Sequence, residues 1–224
     1  MKLLALDTST ENCSLALWLD GRILSKQVLA GQRHSELILP MLDELLAESG
    51  VSLNSLDGIA FGEGPGSFTG LRIGCGVAQG LALGADLPVL GISTLMALAE
   101  ASDEARVLSC LDARIGEIYI AAFERNEGDW QTCFEPALCL AKDAPELAGT
   151  GWIGLGSGFS AYPEAMQARY VNQITRTDGS VYPQASAMAA LAARRFEQGQ
   201  GMDAALAAPV YIRNKVALTT AERR

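Results

Sequence analysis

Met1-Lys2-Leu3-Leu4-Ala5-Leu6-Asp7 opens the chain as a short apolar run ending on a carboxylate, and two more β-type runs follow, Cys13 to Leu19 and Ile23 to Ala30. Residues 8–12 (Thr-Ser-Thr-Glu-Asn) separate the first pair, and the hairpin dipeptide Asp20-Gly21 separates the second. This spacing predicts a three-stranded antiparallel meander. Working outward, apolar residues recur at helical spacing from Ser35 to Ser49, with Ser35 available as N-cap and Gly50 as the stop. Leu56 to Gly62 reads as a buried strand, and Gly64-Pro65-Gly66-Ser67 as a turn into a helix from Phe68 to Ala85. Pro88 to Ile92 reads as a strand and Thr94 to Ala101 as a helix. The order is βββαβαβα.

The pattern then restarts. Leu6-Asp7 finds an echo in Leu111-Asp112, with the strand residues Ile118 to Phe123 behind it, at an offset of about 105 residues. Strands from Gln131 to Leu140, a glycine-rich strand and turn from Trp152 to Gly158, and a helix from Pro183 to Glu197 continue the echo. An offset the size of one small α/β unit indicates duplication rather than a solenoid, which needs three or more short repeats. The expected boundary lies near Ser102-Asp103-Glu104. That gives residues 1–103 and 104–208 as two halves and 209–224 as a tail able to pack back on the body. Each half matches the ribonuclease-H-like unit that occurs twice in actin, sugar kinases and chaperone ATPases (the ASKHA folds), so the expected class is a duplicated, actin-like α/β fold with a cleft between the halves.

Composition restricts the function. The 224 residues carry 17 Lys+Arg against 26 Asp+Glu, a net charge of −9. Most affinity for nucleic acid comes from cations neutralising phosphates, so strong direct RNA binding is disfavoured. The first residues meet a carboxylate too early for a signal peptide, and no stretch approaches the ~18 apolar residues of a membrane span. The expected compartment is the cytoplasm, with no membrane role. The five cysteines are scattered, odd in number and without a CxxC pair, and read as reduced core residues. His34 is the only histidine. Ser-His-Asp catalysis would have to use it, and no zinc site with two histidines can form; its neighbours suggest surface packing.

Two carboxylates could carry chemistry. Asp7-Thr8-Ser9-Thr10 sets one carboxylate and three hydroxyls at a strand end, suited to a magnesium-bound water and to phosphate oxygens; Asp112 holds the equivalent place in the second half. A phosphoryl-transfer site also needs cationic neutralisation. No Lys or Arg lies between Lys2 and Arg22, and Arg114 is the nearest cation from the second half. Two readings stay open: Asp7 and Ser9 fix the strand end, or Asp7, Ser9, Gly64, Gly66 and Asp112 mark a vestigial cleft with weak adenine-nucleotide binding. No cofactor or metal is required. The loop Gly64-Pro65-Gly66-Ser67 lacks the P-loop lysine, and its bland role is a tight strand-to-helix turn. Gly154-Leu155-Gly156-Ser157-Gly158 is a weak signal by itself.

The helix after that loop contains Gly70, Gly74, Gly76, Gly80 and Gly84. Each internal glycine costs about 1 kcal/mol relative to alanine, so a compensating close approach is expected, either onto the protein's own sheet or onto a helix of another subunit. On the preceding helix Leu37, Ile38, Leu39, Met41, Leu42, Leu45 and Leu46 cover more than one stripe, more than one sheet can bury, and an apolar patch remaining there would mark a partner surface, although Pro40 should disturb its first turns.

Asp7-Thr8-Ser9 together with the run from Gly64 to Gly74 (GPGSFTGLRIG) resembles the TsaB (YeaZ) family of tRNA threonylcarbamoyladenosine synthesis. The likeness continues through Pro88 to Leu95, Asp112-Ala113-Arg114 and Pro209 to Arg213. The catalytic relative TsaD carries a His-x-x-x-His metal motif where this chain has Thr94 and Leu98. The resemblance therefore implies a non-catalytic paralogue that pairs with TsaD through helices of its first half, is joined by TsaE, forms homodimers through the same helices when TsaD is absent, and meets tRNA mainly through the complex. The contact residues expected on these grounds are Leu37, Ile38, Met41, Leu42, Leu45, Gly70, Gly74, Gly76, Gly80 and Gly84. The competing hypothesis is a nucleotide-dependent transferase or ATPase using Asp7 and Asp112; a peptidase finds no support in a single histidine.

Overall fold

A computed structural model describes residues 1–213. Three runs, β1 (Lys2–Asp7), β2 (Asn12–Leu19) and β3 (Arg22–Leu29), form the expected meander. The β2–β3 turn places Asp20 and Gly21 at φ of 50° and 95°, the left-handed backbone that two-residue hairpin turns require. Helix α1 (His34–Ser49) leads to β4 (Gly58–Gly64), helix α2 (Phe68–Ala85) to β5 (Val89–Ser93), and helix α3 (Thr94–Glu100) ends the first half. The sheet order is β3-β2-β1-β4-β5, with β4 and β5 parallel to β1.

The second half begins with another meander, β6 (Arg106–Arg114), β7 (Glu117–Asn126) and β8 (Asp129–Leu140). It continues with β9 (Trp152–Leu155), the short helices α4 (Ser157–Ala161) and α5 (Pro163–Arg169), β10 (Ile174–Asp178) and helix α6 (Ala185–Glu197). Its sheet order, β10-β9-β6-β7-β8, repeats that of the first sheet with β6 in the place of β1. The duplication inferred from the Leu-Asp echo is thus a duplication of topology.

Local chemistry explains the helix bounds. Ser67 caps α2, its hydroxyl accepting from the Gly70 N–H at 3.3 Å, and Asp86 ends the helix in the left-handed region. Helix α1 starts at His34, one residue before the expected N-cap. Its first i→i−4 bond runs from the Leu37 N–H to the Arg33 carbonyl, so Ser35 lies inside the helix and caps nothing. The helix runs unbroken through Pro40.

Helices α1 and α2 cover one face of the first sheet, over a core including Leu4, Leu6, Leu15, Leu17, Ile38, Leu42 and Leu45. The opposite face, with Leu3, Ala5, Ala16 and Ile92, is covered by α6. That helix is mostly alanine and methionine on its buried side, and it is tied down where the Ala185 N–H donates to Ser14 Oγ at 2.9 Å. Reciprocally, Leu95, Leu98 and Ala99 of α3 pack on Val107, Leu111 and Tyr119 of the second sheet. Helices α3 and α6 also pack on each other, forming a shared layer between the sheets.

The layer is pinned by Glu100 at the end of α3. Its carboxylate accepts from Trp130 Nε1 at 2.6 Å and Arg125 at 3.1 Å, both in the second meander, and from Arg194 of α6 at 2.8 Å. Removing one member of a buried ion cluster leaves the others unpaired; because the arginines are partly exposed, the expected loss is moderate. Glu100→Ala should destabilise the chain by about 2 kcal/mol in urea unfolding, and a change under about 0.5 kcal/mol would show that packing alone joins the halves.

Candidate functional site

The ends of β1 and β6 open on a cleft of about 1080 Å³ between the halves, walled by Ser9, Gly66 and Ser67 on one side and Asp112, Arg114 and Ser157 on the other. The two aspartates take different positions. Asp7 is fully buried and lies outside the cleft wall. Its Oδ2 accepts from Ser9 Oγ at 2.9 Å, and its Oδ1 has no hydrogen-bond partner. That oxygen presses on Gly62, where a Cβ would stand 2.0 Å away, beside Met188 of α6. Burial pushes the carboxyl up to about 7, against the weaker opposing effect of its hydrogen bonds from Ser9 and Thr8. The structure does not place Asp7 to orient a water or a metal ion in the cleft.

Asp112 does face the cleft, but it is engaged. Its Oδ1 accepts from the Arg114 N–H at 2.8 Å and from the Tyr162 hydroxyl at 2.9 Å, while Oδ2 pairs with the Arg114 guanidinium at 3.0 Å. Arg114 also reaches across to Glu11 of the first half at 2.8 Å. The one nearby cation that sequence reasoning found is therefore shared between two carboxylates. Arg213, also on the wall, pairs with Glu117. The hairpin tip is strained, with Arg114 and Ile115 at φ of 67° and 57°, a backbone region that costs a non-glycine residue on the order of 1–2 kcal/mol.

The glycine turn serves close packing. Gly64 has φ +121° and lies against the Val210 carbonyl, and a Cβ on Gly66 would stand 2.5 Å from the Ser9 carbonyl. The second glycine run behaves likewise: Gly154 seats the Phe159 ring, and Gly156 and Gly158 pack on Cys110. Thr94 donates to the Pro65 carbonyl at 2.5 Å, and Leu98 is in the core.

The expected contact residues divide into two groups. Ile38, Met41, Leu42 and Leu45 lie in the first half's own core, and Leu37 is half-buried. The excess of apolar residues on α1 is mostly absorbed by the sheet and α2, which leaves Leu39 exposed. Gly70 and Gly74 also face inward: a Cβ on Gly70 would meet the Thr8 carbonyl at 1.9 Å, and one on Gly74 would meet Thr8 Oγ1 at 2.7 Å. A Cβ added at Gly76, Gly80 or Gly84 would meet no atom beyond the helix's own backbone within 4 Å, and all three are exposed, so they form an outward stripe. Two further expectations change. His34 is buried, not on the surface, with Nε2 unpartnered, and Cys133 is exposed while Cys13, Cys75 and Cys110 are in the core. Sequence reasoning missed the stack of Phe68, Arg72 and Tyr211 at the start of α2. Nothing local could reveal it, because Tyr211 is 139 residues from Arg72. Among the described residues no helix is long and apolar enough to cross a membrane. Of the tail, residues 209–213 pack on the body; residues 214–224 lie outside the described residues.

The buried Asp7 gives a measurable signature. Its folded pKa, about 7, is above the ordinary 3.8, so the folded state holds a proton that the unfolded state releases. Its contribution to stability is highest at low pH and falls as pH rises from about 4 to about 7, by an amount on the order of 4 kcal/mol. Asp7→Asn should remove that slope. Its stability relative to the parent should be close to unchanged near pH 4 and should rise by a few kcal/mol at pH 8; denaturant titrations at both pH values check this, and parallel profiles would refute it.

The family model described as TsaD, tRNA N6-adenosine threonylcarbamoyltransferase, matches residues 23–220. The tRNA threonylcarbamoyladenosine biosynthesis protein TsaB of Escherichia coli is 41% identical over 97% of this chain and 96% of its own length. That of Haemophilus influenzae is 40% identical over 96% and 95%. A solved structure, YeaZ from Pseudomonas aeruginosa, superposes with a TM-score of 0.87 at 39% identity, covering 94% of this chain and 99% of that one. A tRNA N6-adenosine threonylcarbamoyltransferase of Nitratidesulfovibrio vulgaris is 36% identical but covers only 43% of this chain and 31% of its own. Nearly full-length likeness on one side and partial likeness on the other assign the chain: it belongs to the TsaD family, in its TsaB (YeaZ) branch.

Proposed function

We propose that this chain acts in the cytoplasm in the biosynthesis of tRNA threonylcarbamoyladenosine as a non-catalytic subunit that docks the threonylcarbamoyltransferase TsaD, with TsaE joining the pair and tRNA met mainly through the complex. The outward stripe of Gly76, Gly80 and Gly84 carries the proposal. Gly70 and Gly74 are explained by Thr8, but these three face open space and together forfeit about 3 kcal/mol of helix stability. A smooth helix face lets a second helix approach closely, and the contact then gained offsets the loss. The same face serves a homodimer when TsaD is absent. The buried Asp7 and the engaged Arg114 support a role without bond making. The competing nucleotide-dependent enzyme needs both carboxylates on one ligand.

Reconstituted tRNA modification should require this chain and should tolerate Asp112→Ala. Gly80→Leu should raise the stability of the isolated chain by about 1 kcal/mol through helix propensity and still abolish co-purification with TsaD. Turnover of ATP by the isolated chain, lost in Asp112→Ala, would overthrow the proposal.

A further inference from the structure

After α6 the chain returns along α2 to the cleft. Gln79 Nε2 of that helix donates to the Ala207 carbonyl at 3.0 Å, and the Val210 N–H donates to the Glu63 carbonyl at 2.7 Å. Arg72 Nε donates to the Tyr211 hydroxyl at 2.9 Å, and the Tyr211 and Phe68 ring centroids are 5.3 Å apart. These contacts all belong to the first half. The next two residues change sides. Ile212 packs on the core cluster that holds Val107, Leu111 and Tyr119 of the second sheet, and the Arg213 guanidinium pairs with Glu117 at the start of β7. Residues 210–213 all stand on the cleft wall, so within four residues the chain passes from one half to the other across the cleft.

Glu117 belongs to the β6–β7 tip, where it pairs in register with Arg114. The tip is held to the first half at two points, Glu117 through Arg213 and Arg114 through Glu11. The two ties differ in strength. The Arg114 and Glu11 side chains are 72% and 48% exposed, and an ion pair so open to water contributes little. Those of Arg213 and Glu117 are 17% and 33% exposed, so losing the arginine leaves a partly desolvated carboxylate without a cation among the described residues. Ile212 adds an apolar anchor beside it. Residues 209–213 therefore bear most of the hold. The α3–α6 layer, which joins the halves elsewhere, contributes no described residue to the cleft wall, and it is the place where a rocking motion of the halves would pivot.

We propose that residues 209–213 are a strap across the cleft, which holds the two halves at one opening and lets them rock apart on the α3–α6 layer when Arg213 leaves Glu117. The strap thereby governs access to a cavity of about 1080 Å³. It also explains the left-handed backbone at Arg114 and Ile115: strained conformations persist where the surroundings over-determine them, and this tip is gripped on both flanks. The strap acts whether or not a partner sits on α2.

Electron-spin distance measurements on the full chain test this, with nitroxide labels at Gln32→Cys and Ala161→Cys, exposed positions on opposite walls of the cleft. Cys133→Ser and Cys139→Ser remove the accessible native thiols, the other three cysteines being buried. With the strap intact the distance distribution should be single and narrow. Arg213→Gln and Ile212→Ser should each raise the longer-distance population at least about 10-fold, and Arg114→Gln, at the exposed tie, should change it less than about 3-fold. All three variants should keep the parent circular-dichroism spectrum. Distributions in Arg213→Gln and Ile212→Ser that superpose on the parent's would overturn the strap, and so would a parent that already samples several distances. Broadening that comes with loss of the folded spectrum overturns it too, because the segment then supports the whole fold and not the opening of the cleft.

Discussion

Each sheet has two apolar faces and each half supplies helices enough for only one of them. This constraint organises the molecule. The first sheet buries Leu4, Leu6, Leu15 and Leu17 under α1 and α2, but Leu3, Ala5 and Ala16 on its other face are covered by α6, a helix from the far end of the chain. The second sheet takes α3 in return. Apolar surface left in water costs about 25 cal/mol per Å², so neither half can leave its second face open. The exchange of helices makes the halves one body, with Glu100 as the polar tie across it.

The same exchange decides what the cleft can do. Helix α6 presses Met188 toward Gly62 and the Asp7 carboxylate, so the residue that would meet a ligand in an open site is sealed under a helix. A carboxyl without solvent keeps its proton at unusually high pH, and this one has an oxygen with no hydrogen-bond partner. On the far wall, Arg114 is shared between Asp112 and Glu11. The chemical groups are present, but their partners lie within the chain. The outward glycines of α2 show the reverse: a local cost with no partner inside the chain.

How much of this could be read in the sequence follows the range of the interactions. The first meander, the left-handed Asp20-Gly21 turn and the bounds of α2 were legible because each is set by neighbouring residues: a hairpin dipeptide, a serine cap, a glycine-proline turn. The echo of Leu6-Asp7 in Leu111-Asp112 revealed the duplicated strand order because both mark the central strand of a sheet. Helices α4 and α5 and strand β10 were not legible, because the segment from Ser157 to Asp178 is built from pieces of five to seven residues too short to show a period. The burial of Asp7 depends on Gly62 and Met188, and that of His34 on its packing within the fold; no local pattern encodes such neighbours. Of the expected contact residues, the glycine spacing alone could not separate the inward Gly70 and Gly74 from the outward Gly76, Gly80 and Gly84, because the difference is set by the position of Thr8.

The late arrival of α6 has a consequence for synthesis on the ribosome. The first sheet can pair its strands as soon as β5 has emerged, yet the helix that shields its second face begins about ninety residues later, at Ala185. Until then a surface including Leu3, Ala5, Ala16 and Ile92 is without its cover, and exposed sheet faces of this kind invite aggregation. The nascent first half is therefore an unfinished object that depends on the last helix to close it, and holdase chaperones have a defined window in which to act.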